Sequence, residues 1–204
     1  MTGPGSGRTL RPIAIMNGNA LSSRGPAIAL LETSSIAKGI EATDAMMKRA
    51  GVELLMTIIV PRGKYLVMVG GAVADVEASL RAGKEIAGAT VLDEFLIQNA
   101  DPQLPAAIKG KVKVAAIVAV GIIETKEVAS AIFAADAAVK AADVTLIEAR
   151  NQPGAKGMVV VTGEVGAVRA AVAAGVGTIK REGMLIAEVV IPYAHEALVK
   201  SLTT

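Results

Sequence analysis

The sequence repeats itself, and the repeat constrains the fold more than any other feature. Leu31-Glu32-Thr33 returns as Ile123-Glu124-Thr125, 92 positions later. The same offset pairs Asp44 with Asp136, Lys48 with Lys140, Pro61 with Pro153, Lys64 with Lys156, Gly71 with Gly163 and Gly83 with Gly175. After a two-residue slip, Ile97 pairs with Ile191, Ala100 with Ala194 and Leu104 with Leu198. A chain rich in Ala and Val produces chance matches of those two types. It does not place Glu-Thr, Asp, Lys, Pro and Gly in one register by chance. A fixed internal period marks one structural unit present twice. The expected organisation is an N-terminal extension over 1–26, a first domain over 27–108, a linker over 109–116 and a second domain over 117–202.

Within one copy the order of elements is legible. Ala27 to Leu31 is a short apolar run of strand type. Ser34 or Ser35 can cap a helix over 36–50, because a side-chain oxygen satisfies a free first-turn N–H. Ile36, Ile40 and Met47 recur near helical spacing and predict its apolar face. Strands over 52–60 and 64–69 are joined by Pro61-Arg62-Gly63, a turn signal. A second helix over 73–87 has Val73, Val76, Leu80 and Ile86 as apolar positions. A strand over 91–97 and a short helix over 102–108 close the unit. The second copy repeats the pattern, with helices over 127–142 and 165–180, a hairpin through 151–156 and a strand over 185–191. Each unit reads β-α-β-β-α-β, a ferredoxin-like order. Helices on one face of a mostly antiparallel sheet place the chain in the α+β class.

Composition removes whole classes of function. Lys and Arg total 21 against 19 acids, a net charge of +2, too small for a protein that coats nucleic acid or anionic lipid. Cysteine is absent, which removes disulfides, thiolate zinc sites, cysteine nucleophiles and cysteine-held iron–sulfur clusters. One histidine, His195, allows no multi-histidine metal site within a chain. The aromatics are Phe95, Phe133, Tyr65 and Tyr193, and only Tyr65 falls on the middle strands, so a base-stacking sheet is poorly supplied. The longest apolar run, Val114 to Ile123, is about half the roughly 20 residues of a membrane-spanning helix. The first residues lack the apolar segment of a secretory signal.

Catalytic signatures fail in turn. Gly3 to Thr9 has a glycine-rich loop but no lysine at phosphate-loop spacing. Gly163-Glu-Val-Gly166 lacks the third glycine of a dinucleotide fingerprint and reads as a turn entering a helix. His195 reads as a capping or packing residue. Asp44 and Asp136, at matching helical positions, read as a repeated structural bond. The expectation is a protein that is no enzyme and holds no cofactor or metal.

Three stretches carry a family resemblance. The second copy runs Val120-Gly-Ile-Ile-Glu-Thr-Lys-Glu-Val-Ala-Ser-Ala-Ile-Phe-Ala-Ala-Asp-Ala-Ala-Val-Lys140, continues Gly163-Glu-Val-Gly-Ala-Val168 and closes Val190-Ile-Pro-Tyr-Ala-His195. This closely resembles the bacterial microcompartment shell domain. The first copy, from Leu31-Glu-Thr-Ser-Ser-Ile-Ala-Lys-Gly-Ile-Glu-Ala-Thr-Asp-Ala-Met46, resembles the leading half of tandem-domain shell proteins. Each copy opens on the Glu-Thr strand and ends on the Ile-Pro-like strand. The order is therefore unpermuted and similar to the propanediol-utilisation T-type.

The resemblance implies a flat trimer whose six domains imitate a hexamer. It implies a central pore for small metabolites and assembly with single-domain shell hexamers around encapsulated enzymes, within the cytoplasm. No nucleic acid or membrane partner is implied. The family's pore hairpin corresponds here to Pro61, Arg62 and Gly63 in the first copy, and to Gln152, Pro153 and Gly154 in the second. Three Arg62 side chains near one axis would favour small anions, as charged rings do in channels. Some relatives hold an iron–sulfur cluster at the pore through cysteine. With Pro61 or its neighbour at that place, no cluster and no electron relay are expected. The family's edge lysine matches Lys48 and Lys140. Where an edge arginine is usual, this chain has Asn99 and Tyr193. The first 26 residues, with Arg8, Arg11 and Arg24 and no acid, read as a flexible end or as an arm docked on the trimer. The competing reading is a trimeric regulatory or small-molecule-binding protein on the same duplicated fold.

Overall fold

The computed structural model describes residues 26–114, 116–179 and 183–203. The N-terminal extension, but for Pro26, lies outside the described residues. The first copy consists of β1 (Ala27–Thr33), α1 (Ile36–Arg49), β2 (Glu53–Val60), β3 (Lys64–Gly71), α2 (Val73–Ala87), β4 (Val91–Ile97) and α3 (Leu104–Lys109). The second consists of β5 (Ala119–Thr125), α4 (Val128–Ala141), β6 (Val144–Gln152), β7 (Lys156–Gly163), α5 (Val165–Gly177), β8 (Leu185–Ile191) and α6 (Glu196–Thr203). β5, α4 and β7 begin and end 92 positions after β1, α1 and β3. β8 follows β4 by 94, so the two-residue slip falls between the second helix and the last strand of each unit.

Each copy forms a four-stranded sheet, ordered β2-β3-β1-β4 and β6-β7-β5-β8. All pairings are antiparallel. The registers match as well as the elements do. Ala27 faces Gly71 as Ala119 faces Gly163, and each first strand has an irregularity between its Glu and Thr, at Glu32/Thr33 and Glu124/Thr125. The Thr explains part of the repeat. Thr33 Oγ1 donates to the Ser35 carbonyl at 2.9 Å, and Thr125 Oγ1 to the Glu127 carbonyl at 2.6 Å, fixing the same strand-to-helix turn twice. Ser35 then caps α1 by accepting from the Lys38 N–H at 3.3 Å.

Strand alternation sends Ala27, Ala29 and Leu31 to one core, with Tyr65, Val67 and Val69 beneath α1 and α2. Ile28 and Leu30 join the other core with Leu66, Met68 and the α3 residues Leu104 and Ile108. Small residues let the helices approach. A Cβ on Gly39 would lie 2.4 Å from Tyr65 Cδ1. In the second copy the bulk is exchanged. Ala131 stands at the place of Gly39 and Gly157 at the place of Tyr65, and a Cβ on Gly157 would lie 2.5 Å from that of Ala131.

Two sequence expectations need correction. The buried face of α1 is Gly39, Ala42 and Met46, and Ile40 is 54% exposed. In α2, Val76 and Leu80 are buried, whereas Val73 and Ile86 reach solvent. Ile36 and Met47 do pack against this core at its margin, but Ile40 faces away, because the close approach of Tyr65 and α2 demands small residues along the fully buried stripe.

The copies meet along one long seam. Phe95 of β4 stacks on Phe133 of α4 with centroids 4.3 Å apart. The Asp101 N–H donates to Asp136 Oδ1 at 2.8 Å, and Gln103 Oε1 accepts from the Leu146 N–H at 2.8 Å. Ser130 Oγ donates to Asp93. The seam therefore sets β4, α3 and the end of β1 against α4 and β6. Its effect on burial is large: α4 buries ten of its 14 residues, and α1 only three of its 14.

Candidate functional site

The two hairpin turns have a common geometry. Val60 pairs with Lys64 around Pro61-Arg62-Gly63, and Gln152 pairs with Lys156 around Pro153-Gly154-Ala155. Gln152 thus belongs to the last rung of β6, not to the turn, and its Nε2 donates to the buried Glu148 at 2.7 Å. Each turn needs two consecutive left-handed residues. These are Arg62 (φ 70°) and Gly63 (φ 77°) in one copy, Gly154 (φ 86°) and Ala155 (φ 64°) in the other. Glycine adopts this conformation freely; an arginine pays about 1–2 kcal/mol for it.

The hairpins converge on one cleft of about 280 Å³ between the copies. Its lining comes in matched pairs. Arg62 faces it with Gly154, Ser34 with Lys126, and Lys64 with Lys156, each pair 92 apart in sequence. Leu92 and Ile186, 94 apart, supply its apolar wall. Glu127 completes the lining. Equivalent parts of the two copies therefore turn toward the same space. The exposed Pro61, Gly63 and Pro153 sit in the same turns.

The cations of the cleft differ in their partners. Lys64 is ion-paired with Glu127, and its Nζ lies 3.6 Å from Glu32 Oε1. Lys156 Nζ donates to Glu124 Oε1 at 2.5 Å. The Arg62 and Lys126 side chains have no hydrogen-bonding or ionic partner among the described residues.

Behind the cleft lies the most unusual group of the molecule. Glu32 is fully buried, and its Oε2 accepts from the N–H groups of Val128 (2.8 Å) and Ala129 (3.0 Å), the first turn of α4. A carboxylate from one copy thereby caps a helix of the other, where free N–H groups and the helix dipole favour negative charge. Burial nevertheless pushes the Glu32 carboxyl up from 4.5 to about 7, and the neighbouring Glu127 adds to the rise. The Ala129 N–H and Lys64 oppose it.

The proposed edge residues lie elsewhere; none of the four lines the cleft. Lys48 and Lys140 occupy the last turns of α1 and α4. Lys48 Nζ donates to Asp44 at 2.6 Å and Lys140 Nζ to Asp136 at 2.5 Å, so the repeated Asp does make a repeated structural bond. Asn99 is exposed after β4, and Tyr193 is 82% exposed after β8. His195 caps α6, its Nδ1 accepting from the Ala197 N–H at 3.2 Å. Among the described residues, no group of three or more His, Asp or Glu could hold a metal, and no helix is long and apolar enough to cross a membrane.

Sequence reasoning named the hairpins but missed Glu32, Lys126 and Glu127. The last two had a signal: they stand where the first copy has Ser34 and Ser35, a change in charge inside an otherwise conserved register.

A family model for the BMC domain matches the chain twice, over residues 27–100 and 119–194. The chain belongs to the BMC-domain family of bacterial microcompartment proteins. Over 174 residues, 84% of this chain and 95% of the relative, it is 41% identical to the bacterial microcompartment shell protein PduT of Citrobacter freundii. It is 42% identical over 84 residues to the single-domain-length shell protein PduA of the same organism, covering 41% of this chain and 90% of PduA. Among solved structures, a microcompartment protein from Desulfitobacterium hafniense DCB superposes with a TM-score of 0.75 at 46% identity, over 86% of this chain and 99% of that one. A fused permuted hexameric shell protein from the RMM microcompartment gives 0.58 at 26% identity, over 78% and 83% of the two chains. Each BMC match here opens on the Glu-Thr strand, so the tandem α+β architecture is that of the two-domain members of the family.

Proposed function

We propose that this chain is a structural tile of a bacterial microcompartment shell, three copies closing into a pseudohexameric ring with a central pore. One observation carries the reading. Three of the apolar side chains left exposed are the counterparts of residues packed where the two copies meet. Ile40 is 54% exposed and its counterpart Ile132 is 1% exposed; Leu54 is 37% exposed and Leu146 is 1% exposed. On the opposite edge, Val189 (43% exposed) stands where Phe95 stacks on Phe133. The chain thus presents the two halves of its internal seam, unpaired, on opposite sides. A head-to-tail contact of this kind either closes a ring or runs on as a filament. With two near-equivalent units per chain, a six-unit ring closes after three chains.

In that ring the hairpins turn toward the axis. Pro61, Arg62, Gly63, Pro153 and Gly154, with Gln152 behind them, line the pore, and small metabolites pass it. Lys48 and Lys140 lie at the outer edge with Asn99 and Tyr193, where a tile meets its neighbours or single-domain shell proteins. The domains extend over 27–108 and 117–202, with 109–116 between them. Enclosed enzymes do the chemistry, and this chain acts as wall and passage in a cytoplasmic microcompartment. Solution mass followed by negative-stain microscopy tests the proposal. A three-chain particle shaped as a flat hexagonal disc that joins into sheets supports it, and a stable monomer removes the pore. The edge has its own test. Lys48→Ala with Lys140→Ala should leave the mass of the particle unchanged and reduce sheet area several-fold; undiminished sheets would exclude these lysines as anchors.

A further inference from the structure

We infer that the cleft between the hairpins is a binding site for a small organic anion, a carboxylate or phosphate monoester with a short apolar end. Four cations border it, and two of them are already matched: Lys64 by Glu127 and Glu32, Lys156 by Glu124. Arg62 and Lys126 remain, one from each copy, unpaired among the described residues and facing one space. Two unmatched cations facing one space repel each other, and an anion bound between them relieves that repulsion while accepting charge-assisted hydrogen bonds.

The backbone supports the same conclusion. Arg62 holds a left-handed φ of 70°, which the second copy gives to Gly154 without strain. The first copy thus places the strained position at the residue whose cationic side chain lines the cleft. The size fits as well. A space of about 280 Å³ holds about nine water volumes, or a molecule of a few heavy atoms. Leu92 and Ile186 make part of the wall apolar, which favours an alkyl end over a fully hydrated inorganic ion. The place of this site on a passage through a shell rests on the ring proposed above. Its chemistry does not, since every lining residue belongs to one chain.

Calorimetric titration of the full-length protein at low salt tests the inference, with butanoate and propyl phosphate as anions and butanamide and butylammonium as controls. Saturable binding of at least one anion, weakened by added salt and absent for both controls, is the expected result. The tighter anion identifies the headgroup. Arg62→Gly and Lys126→Ser each install the residue that the other copy carries at that position, Gly154 and Ser34, so both should keep the wild-type mass and circular dichroism. Each should weaken anion binding about tenfold or more, as expected for loss of a charge-assisted hydrogen bond. Butanamide binding as tightly as butanoate, no binding by either anion, or full affinity in both variants would overturn the site. A monomer that still binds anions would keep the site and remove the pore; a ring that binds none would do the reverse.

Discussion

A chain carrying Ile40→Asp and Leu54→Asp should run in solution at the mass of one chain, with its circular dichroism unchanged. Both side chains are exposed within the chain, so the substitutions remove nothing from its own core. Their counterparts show what the ring would bury: Ile132 and Leu146 are each 1% exposed in the internal seam. Full burial of one such side chain stabilises by about 1.5–3 kcal/mol, so each seam between chains loses roughly 3–6 kcal/mol before the cost of burying two carboxylates. That is a factor of about 10²–10⁴ in association at every seam. The internal control is Leu146→Asp, which places the same charge in the covalently joined seam and should unfold the second copy. Sedimentation of the three proteins decides the matter. A double variant that keeps a three-chain mass would show that these residues do not close the ring.

Glu32→Ala should be the most destabilising single polar substitution on the copy-to-copy seam. It strips Val128 and Ala129 of the acceptor for their N–H groups and leaves Glu127 as the one ionic partner of Lys64 among the described residues. Two buried donors without partners cost roughly 2–5 kcal/mol, and a chain of this length loses about 2–4 °C in melting temperature per kcal/mol. Glu32→Gln separates hydrogen bonding from charge, because the amide oxygen can still accept and the group cannot ionise. The folded chain holds the Glu32 proton more tightly than the unfolded one, about 7 against 4.5. Its contribution to stability is therefore complete below 4.5 and is lost as pH rises through 7. Relative to wild type, the Gln variant should gain about 1–3 kcal/mol between about pH 5 and pH 8 in urea unfolding. A wild-type/Gln difference that is flat across that range would show that Glu32 is ionised throughout.

The parts of this molecule that were legible in sequence are those where one physical requirement acts twice. Thr33 and Thr125 make the same turn-fixing bond, Asp44 and Asp136 hold the same lysine, and Pro61 and Pro153 open the same hairpin turn. Each is a local bond at fixed spacing, and the repeat reports it directly. The parts that were not legible are those where the copies play opposite roles. Ile40 and Ile132 are identical residues at matching positions of equivalent helices, yet one is exposed and the other buried, because only α4 has a neighbouring copy in the chain. Glu32 and Glu124 are likewise identical in sequence. Glu32 caps a helix from the other copy, and Glu124 pairs with Lys156 within its own. Periodicity describes a helix against its own core and carries no information about which outer face another domain will cover.

The exchange of bulk between Gly39/Tyr65 and Ala131/Gly157 has a genetic consequence. A crossover after α1 would set Gly39 against Gly157 and leave a hole where the ring of Tyr65 had been; the reciprocal product would press Ala131 onto Tyr65. The first hybrid is underpacked and the second overpacked, and both defects fall in a core that tolerates neither. Two halves that fit only their own partners are protected from being averaged into one, so each is free to keep its own charge around a shared opening.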